Sequence, residues 1–168
     1  EAIGYSNRAL YLFHKGEIEL AKASIDSSLA ISDESDDGYS IYNTYNIMAD
    51  IYSHEHQYQK SNEYLQKVLK QAEAIDNKRM VSRALTTIGC NLMQTNELDK
   101  AKGYFGESLS IANSIGAMQE VIPNLYYLSL IEAIMRNFSA ADSLNELYTE
   151  KALELFCTDS ISDGKGTI

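Results

Sequence analysis

The segments KGEIELAKASI (15–25), EHQYQKSNEYL (55–65), TNELDKAKGYF (95–105) and RNFSAADSLNE (136–146) decide the fold, because they are versions of one pattern. Laid over one another, they place Ala21, Ser61, Ala101 and Ala141 in one column of small residues spaced 40 apart. Three residues earlier the register holds Ile18, Tyr58, Leu98 and Phe138, all large, and four residues later Ile25, Leu65, Phe105 and then Asn145. Upstream, Tyr5, Tyr45, Leu85 and Leu125 align, then the small residues Ala9, Ala49, Gly89 and Ser129, then Leu12, Tyr52, Leu92 and Glu132. Repetition at a fixed period signals one supersecondary unit used several times.

Within each unit the spacing is helical. Tyr45, Met48, Ala49 and Tyr52 fall at i, i+3, i+4 and i+7, as do Ser61, Leu65, Val68 and Leu69 after a break at Glu55 to Tyr58. Small residues let two helix backbones approach, and large ones fill the space on either side. The unit is therefore a helical hairpin, with helix A near 40–55 and helix B near 58–75 in the clearest case. Neither helix buries its stripe alone, so the hairpins must stack.

Composition agrees with an all-α chain and excludes several functions. One Pro and nine Gly in 168 residues are too few for the tight turns of a mainly β protein. The longest apolar stretch, Leu125 to Met135, is interrupted by Ser129 and Glu132 and is too short to cross a bilayer. A formal charge of −10 argues against direct nucleic-acid binding, which needs a basic footprint. Cys90 and Cys157 make no disulfide framework. The chain opens at Glu1 without Met or an apolar leader, as a fragment or a processed form would. A bacterial cytoplasm and a periplasm are equally compatible, and the compartment stays open.

The pattern resembles the tetratricopeptide repeat family. Tyr45, Ala49, Tyr52, Ser61 and Leu65 carry the resemblance, and Leu85, Gly89, Leu92, Ala101 and Phe105 repeat it. The period of 40 exceeds that family's usual 34, and the family's Pro after helix B is missing throughout. The resemblance implies an α–α superhelix of four hairpins, with units at about 3–37, 38–77, 78–117 and 118–157. Arg8 in the first unit, and Glu132, Asn145 and Thr149 in the fourth, stand where core residues are expected, so these two units read as ends. The polar tail 158–168, TDSISDGKGTI, is expected to be disordered.

Catalytic and metal motifs are each better explained otherwise. GESLS at 106–110 lacks the last glycine of a nucleophile elbow, and DGKGT near the end lacks the upstream glycine of a phosphate loop. His54 and His56 lie at a turn where Tyr58 replaces the second histidine of a zinc helix. His14 shares the repeat position of His54, a helix diameter away. Asp33, Ser35, Asp37 and Gly38 imitate a calcium loop whose twelfth position is Thr44 rather than Glu. The glycosylation letters Asn137-Phe138-Ser139 place Phe138 at an expected buried turn position. No enzyme, no cofactor and no metal are expected.

What remains is the surface of the A helices, which line the inner wall of such a stack. Away from the A–B seam they carry Asn43, Asn46, Asp50 and His54 in the second unit, and Arg83, Thr86, Cys90 and Met93 in the third. The first unit adds Ser6, Leu10 and Phe13, and the fourth adds Tyr126 and Leu130. The ligand-binding residues expected there are Asn43, Asn46, Asp50, His54, Arg83, Thr86, Met93 and Tyr126. Asn offers both donor and acceptor to a partner's backbone, a role the resemblance implies for Asn43 and Asn46. The resemblance also argues against a carboxylate clamp, since Arg83 is the clear cation and Asp50 opposes it. The function expected is non-enzymatic binding of a protein or peptide on this wall. The alternative is a sensory or regulatory domain of a larger bacterial signalling protein or transcription regulator. The final helix is the candidate surface for a homodimer.

Overall fold

The computed structural model describes residues 1–35 and 37–163, and every element in them is a helix. The order is α1 (Ala2–His14), α2 (Ile18–Ser35), α3 (Gly38–His54), α4 (Tyr58–Ala74), α5 (Lys78–Gln94), α6 (Leu98–Ser114), α7 (Met118–Ile134) and α8 (Phe138–Asp163). From α3 to α7 each helix has 17 residues. Two such helices and two three-residue turns make up the period of 40. The extra length over a 34-residue repeat thus resides in the helices.

Each A-to-B turn is built the same way. Gly16, His56, Asn96 and Arg136 all have φ between 59° and 79°. The following N–H groups, of Glu17, Gln57, Glu97 and Asn137, reach back to the carbonyls of Leu12, Tyr52, Leu92 and Glu132. This left-handed C-terminal cap satisfies the last carbonyls of the A helix. Only Gly16 adopts it free of a Cβ penalty. The next hairpin is started by a side-chain cap at two of the B-to-A turns: Asp37 accepts from the Ser40 N–H at 3.1 Å and Asn77 from the Met80 N–H at 3.2 Å. Asp37, the last acidic residue of the apparent calcium loop, is therefore a helix cap, and Asp36 lies outside the described residues.

The helices pair as hairpins α1–α2, α3–α4, α5–α6 and α7–α8, and each B helix packs on the next A helix. α1 also packs on α3 and α5 on α7, so within these pairs the odd-numbered helices approach one another across the B helix between them. The two small columns lie in the seams, with Ala9, Ala49, Ala21, Ser61 and Ala101 fully buried. At Gly89 a Cβ would come within 2.8 Å of the Phe105 ring, which is itself fully buried and stacks on Tyr127 at 4.9 Å between centroids. Glycine is required there by a close approach.

Three details depart from the expectations. Phe138 is 62% exposed rather than buried at its turn. The fourth B helix continues to Asp163, into the tail expected to be irregular, while residues 164–168 lie outside the described residues. Glu132, in a core column, stays ionised because Lys102 and Asn137 both bond its carboxylate, which holds its pKa below the usual range. Among the described residues no helix is long and apolar enough to cross a membrane.

Candidate functional site on the inner helix wall

Four of the expected wall residues gather on α3 and α5. Asn43, Asn46 and Asp50 are half-buried along one stripe of α3, and Arg83 is exposed on α5. Burial pushes the Asp50 carboxyl up to about 6, while the charges of Arg83 and His14 act in the opposite direction. Arg83 likewise opposes the upward shift that burial gives the Tyr42 hydroxyl. His14 and His54 each lie 5.6 Å from the Phe13 ring, centroid to centroid, and both are exposed. A carboxyl that titrates at about 6, on the same stripe of α3 as two amides, can accept a hydrogen bond or meet a cation when ionised and donate a hydrogen bond when protonated.

The remaining expected residues are held differently. Ser6 is not on the open wall: it is 3% exposed and bonds the Ser28 and Thr44 hydroxyls at 2.8 and 2.9 Å. Thr86 is half-buried, and its hydroxyl is engaged by the Ser82 carbonyl, the Ser108 hydroxyl and the Asn124 amide oxygen. Cys90 and Met93 are half-buried against the core, and burial raises the Cys90 thiol beside Tyr127, whose own hydroxyl is pushed up to about 12. Tyr126 is 48% exposed but sits at the far end of the wall, 5.9 Å from the Tyr148 ring.

Buried polar groups between hairpins were not legible as a site in the sequence. Ser6, Ser28 and Thr44 form a closed triangle of hydroxyls at the first boundary, with Ser28 donating to the Ala2 carbonyl and Thr44 to the Ser40 carbonyl. Eighty residues on, Thr86, Ser108 and Asn124 occupy the same three positions at the third boundary. At the second boundary these positions are Asn46, Val68 and Ala84, and Val68 and Ala84 are buried. Instead Asn91, 1% exposed, gives its amide to Ser61 and Asn62 and accepts from Ser53. Asn46 is thus the one member of the column Ser6, Asn46, Thr86 with no hydrogen-bond partner among the described residues. The matching eighty-residue spacing of serines was the signal that the 40-residue register obscured.

Next to Arg83 and Thr86 a cleft of about 360 Å³ opens between α5 and α7, lined also by Thr87, Gln119, Glu120 and Pro123. Pro123 lacks the N–H that would bond the Gln119 carbonyl. Glu120 is 8% exposed, with Arg79 at 3.9 Å. Among the described residues no group of three His, Cys, Asp or Glu side chains is placed to hold a metal ion.

The architecture is shared with several solved structures. The chain overlays BtubC (BKLC) from P. vanneervenii with a TM-score of 0.80 at 15% identity, covering 90% of this chain and 63% of that one. Aspartyl phosphate phosphatase F from Bacillus subtilis overlays with a TM-score of 0.87 at 13% identity, covering 92% and 40%. A Rap protein complexed with competence and sporulation factor gives 0.80 at 16%, covering 91% and 43%. The chain therefore spans less than two thirds of the length of each, and at these identities the likeness is one of fold. No curated protein sequence gives a match. Residues 40–114 match the family model described as tetratricopeptide repeat. Residues 40–114 thus carry tetratricopeptide repeats, and the hairpins on either side of that stretch share the same helical-repeat fold.

Proposed function

We propose that the inner wall of the second and third hairpins binds an extended protein or peptide segment, through Asn43, Asn46, Asp50 and Arg83, without catalysis. The observation that carries this reading is the unengaged amide of Asn46. Its counterparts Ser6 and Thr86 are tied into boundary networks, whereas the positions that would complete such a network for Asn46 are the apolar Val68 and Ala84, which leaves its donor and acceptor for a ligand. Asp50, one turn on, favours a lysine, arginine or amino-terminal group on that ligand, and the chain's charge of −10 attracts such a partner from a distance. The fold likeness to a Rap protein in complex with competence and sporulation factor supports a signalling role as the second reading, in which the same wall receives a short peptide as an input.

The test uses a peptide selected from a random library on the wild-type chain, with the bound state mapped by NMR chemical shifts. Perturbations centred on Asn43, Asn46, Asp50 and Arg83 are expected. A footprint on the even-numbered helices, or a library from which nothing is enriched, overturns the proposal.

A further inference from the structure

One buried acidic side chain is left unfinished by the fold. Glu120, in the first turn of α7, is 8% exposed, and its Oε2 has no hydrogen-bond partner. Among the described residues the one cation within 4 Å is Arg79, whose Nε lies 3.9 Å from Oε1. That is beyond hydrogen-bond distance, and the Arg79 side chain is 56% exposed, so the pair is screened. Forty and eighty residues earlier the same register position holds Met80 and Ser40, and the Ser40 hydroxyl donates to Asp37. Nor does a side chain cap α7: Asp37 and Asn77 cap α3 and α5, but the equivalent residue is Ala117. The start of α7 favours negative charge in general, yet a buried carboxyl oxygen without a donor is costly.

Glu120 belongs to the cleft of about 360 Å³ between α5 and α7, at the small end of the range for ligand pockets. Burial grades inwards along it. Arg83 and Gln119 are exposed, Thr86, Thr87 and Pro123 are half-buried, and Glu120 is buried. The hydroxyls are already engaged, that of Thr86 in the third boundary network and that of Thr87 by the Arg83 carbonyl at 3.1 Å. The Asn124 amide of that network donates to the Glu120 carbonyl at 2.7 Å, so the backbone that presents the carboxyl is held in place. Pro123 withholds an N–H from the Gln119 carbonyl, which leaves a second acceptor less covered on the same turn. The cleft thus combines a donor-poor acid with threonine methyls and a proline ring.

We infer that this cleft binds a cationic head group on an aliphatic stem, an alkylguanidinium or alkylammonium such as an arginine or lysine side chain, with Glu120 receiving the charge. Such a group brings the donors that the carboxyl lacks, and its methylenes lie against Thr86, Thr87 and Pro123. A half-turn about Cγ–Cδ exchanges the two carboxyl oxygens, so the buried one is within reach of the ligand. Arg79 and Arg83 oppose a further cation, but both are exposed and screened by water, whereas contact inside the cleft is direct. The cleft shares Arg83 with the site proposed above, but Asn43, Asn46 and Asp50 do not line it. The inference therefore stands or falls separately from that reading.

NMR titration of the whole chain tests it, with blocked glycine pentapeptides carrying arginine, lysine, citrulline or norleucine at the centre, and with butylguanidine. The arginine and lysine peptides should shift the amides of Thr87, Gln119 and Glu120, and the two neutral peptides should not. Glu120→Gln keeps the shape and removes the charge, and should weaken the arginine peptide about tenfold. The same variant should melt no earlier than wild type, because it removes a buried charge without a full partner. Butylguanidine that binds as tightly as the arginine peptide assigns a free amine as the ligand, and weaker binding assigns the side chain of a protein. No shifts at these amides with either cationic peptide, shifts that survive Glu120→Gln, or equal shifts with citrulline overturn the inference. So does a Glu120→Gln chain that unfolds early, which would make the carboxyl a structural partner of Arg79. Shifts confined to Asn43, Asn46 and Asp50 overturn it while leaving the reading of the α3 stripe intact.

Discussion

The outer two hairpin boundaries and the central one are built on opposite plans. At the first and third, hydroxyls and one amide close a buried network beside the inner wall, while Ile51 and Ile131 fill the position near the A-to-B turns. At the second, Val68 and Ala84 fill the former position and Asn91 takes the latter. A buried polar group is tolerated only where every partner is in place, so the alternation specifies which hairpin sits on which. It also leaves the central wall with polar side chains the fold does not use. Polar residues engaged in the fold and polar residues left unengaged are thereby separated within one repeat column.

Both plans depend on the same seam between A and B helices, which gives the largest expected effect. Gly89→Trp should destabilise by about 3 kcal/mol or more, since a Cβ there already meets the Phe105 ring at 2.8 Å. Thermal unfolding checks it, and an unchanged melting temperature would contradict the register of the whole stack.

The two outer networks should then be distinguishable from each other. Ser108→Val removes the group that accepts from Asn124 and bonds Ser82 and Thr86, at a cost of about 2 kcal/mol. Ser28→Val should cost about 1 kcal/mol, because Ser6 and Thr44 remain 2.9 Å apart and still bond each other. Denaturant unfolding of the two variants measures the difference, and equal costs would mean the networks are not used as described.

A smaller effect of opposite sign is expected on the central wall. The folded state holds Asp50 at about 6, above its ordinary value of 3.8, so folding favours the protonated form. That preference makes ionised Asp50 destabilising above pH 6, with the penalty fading as pH falls through 6 towards 4. Asp50→Asn should therefore stabilise the chain by about 1–2 kcal/mol at pH 7, allowing for its partial exposure, and by nothing near pH 4. Melting curves at the two pH values show whether this is so.

How much of this was legible in the sequence follows from what each feature requires. The hairpins and the seam were, because a column such as Ala49 and Gly89 beside Tyr52 and Leu92 records packing at fixed helical spacing. The A-to-B turns were visible only as breaks, since His56, Asn96 and Arg136 adopt positive φ without a glycine to announce it. The wall was legible as a surface but not as a site. Ser6, Asn46 and Thr86 are equivalent by helical position, and what distinguishes them is the identity of residues 22 and 38 places later in the chain. Phe138 was misplaced because a large residue in a repeat column is buried only if a further hairpin covers it, and among the described residues α8 packs chiefly on α7.

The separation of the two kinds of polar residue is tested most directly by comparing Asn46→Ala with Thr86→Ala, measuring melting temperature and affinity for the library-selected peptide on both. Asn46→Ala should leave the melting temperature within a degree or so of wild type, as expected of a side chain with no partner in the fold, and weaken the peptide about tenfold, the loss of one good hydrogen-bonding anchor. Thr86→Ala should lower the melting temperature by several degrees and leave the affinity nearly unchanged. The reverse pattern, with Asn46→Ala unfolding the chain early and Thr86→Ala abolishing binding, would contradict the account.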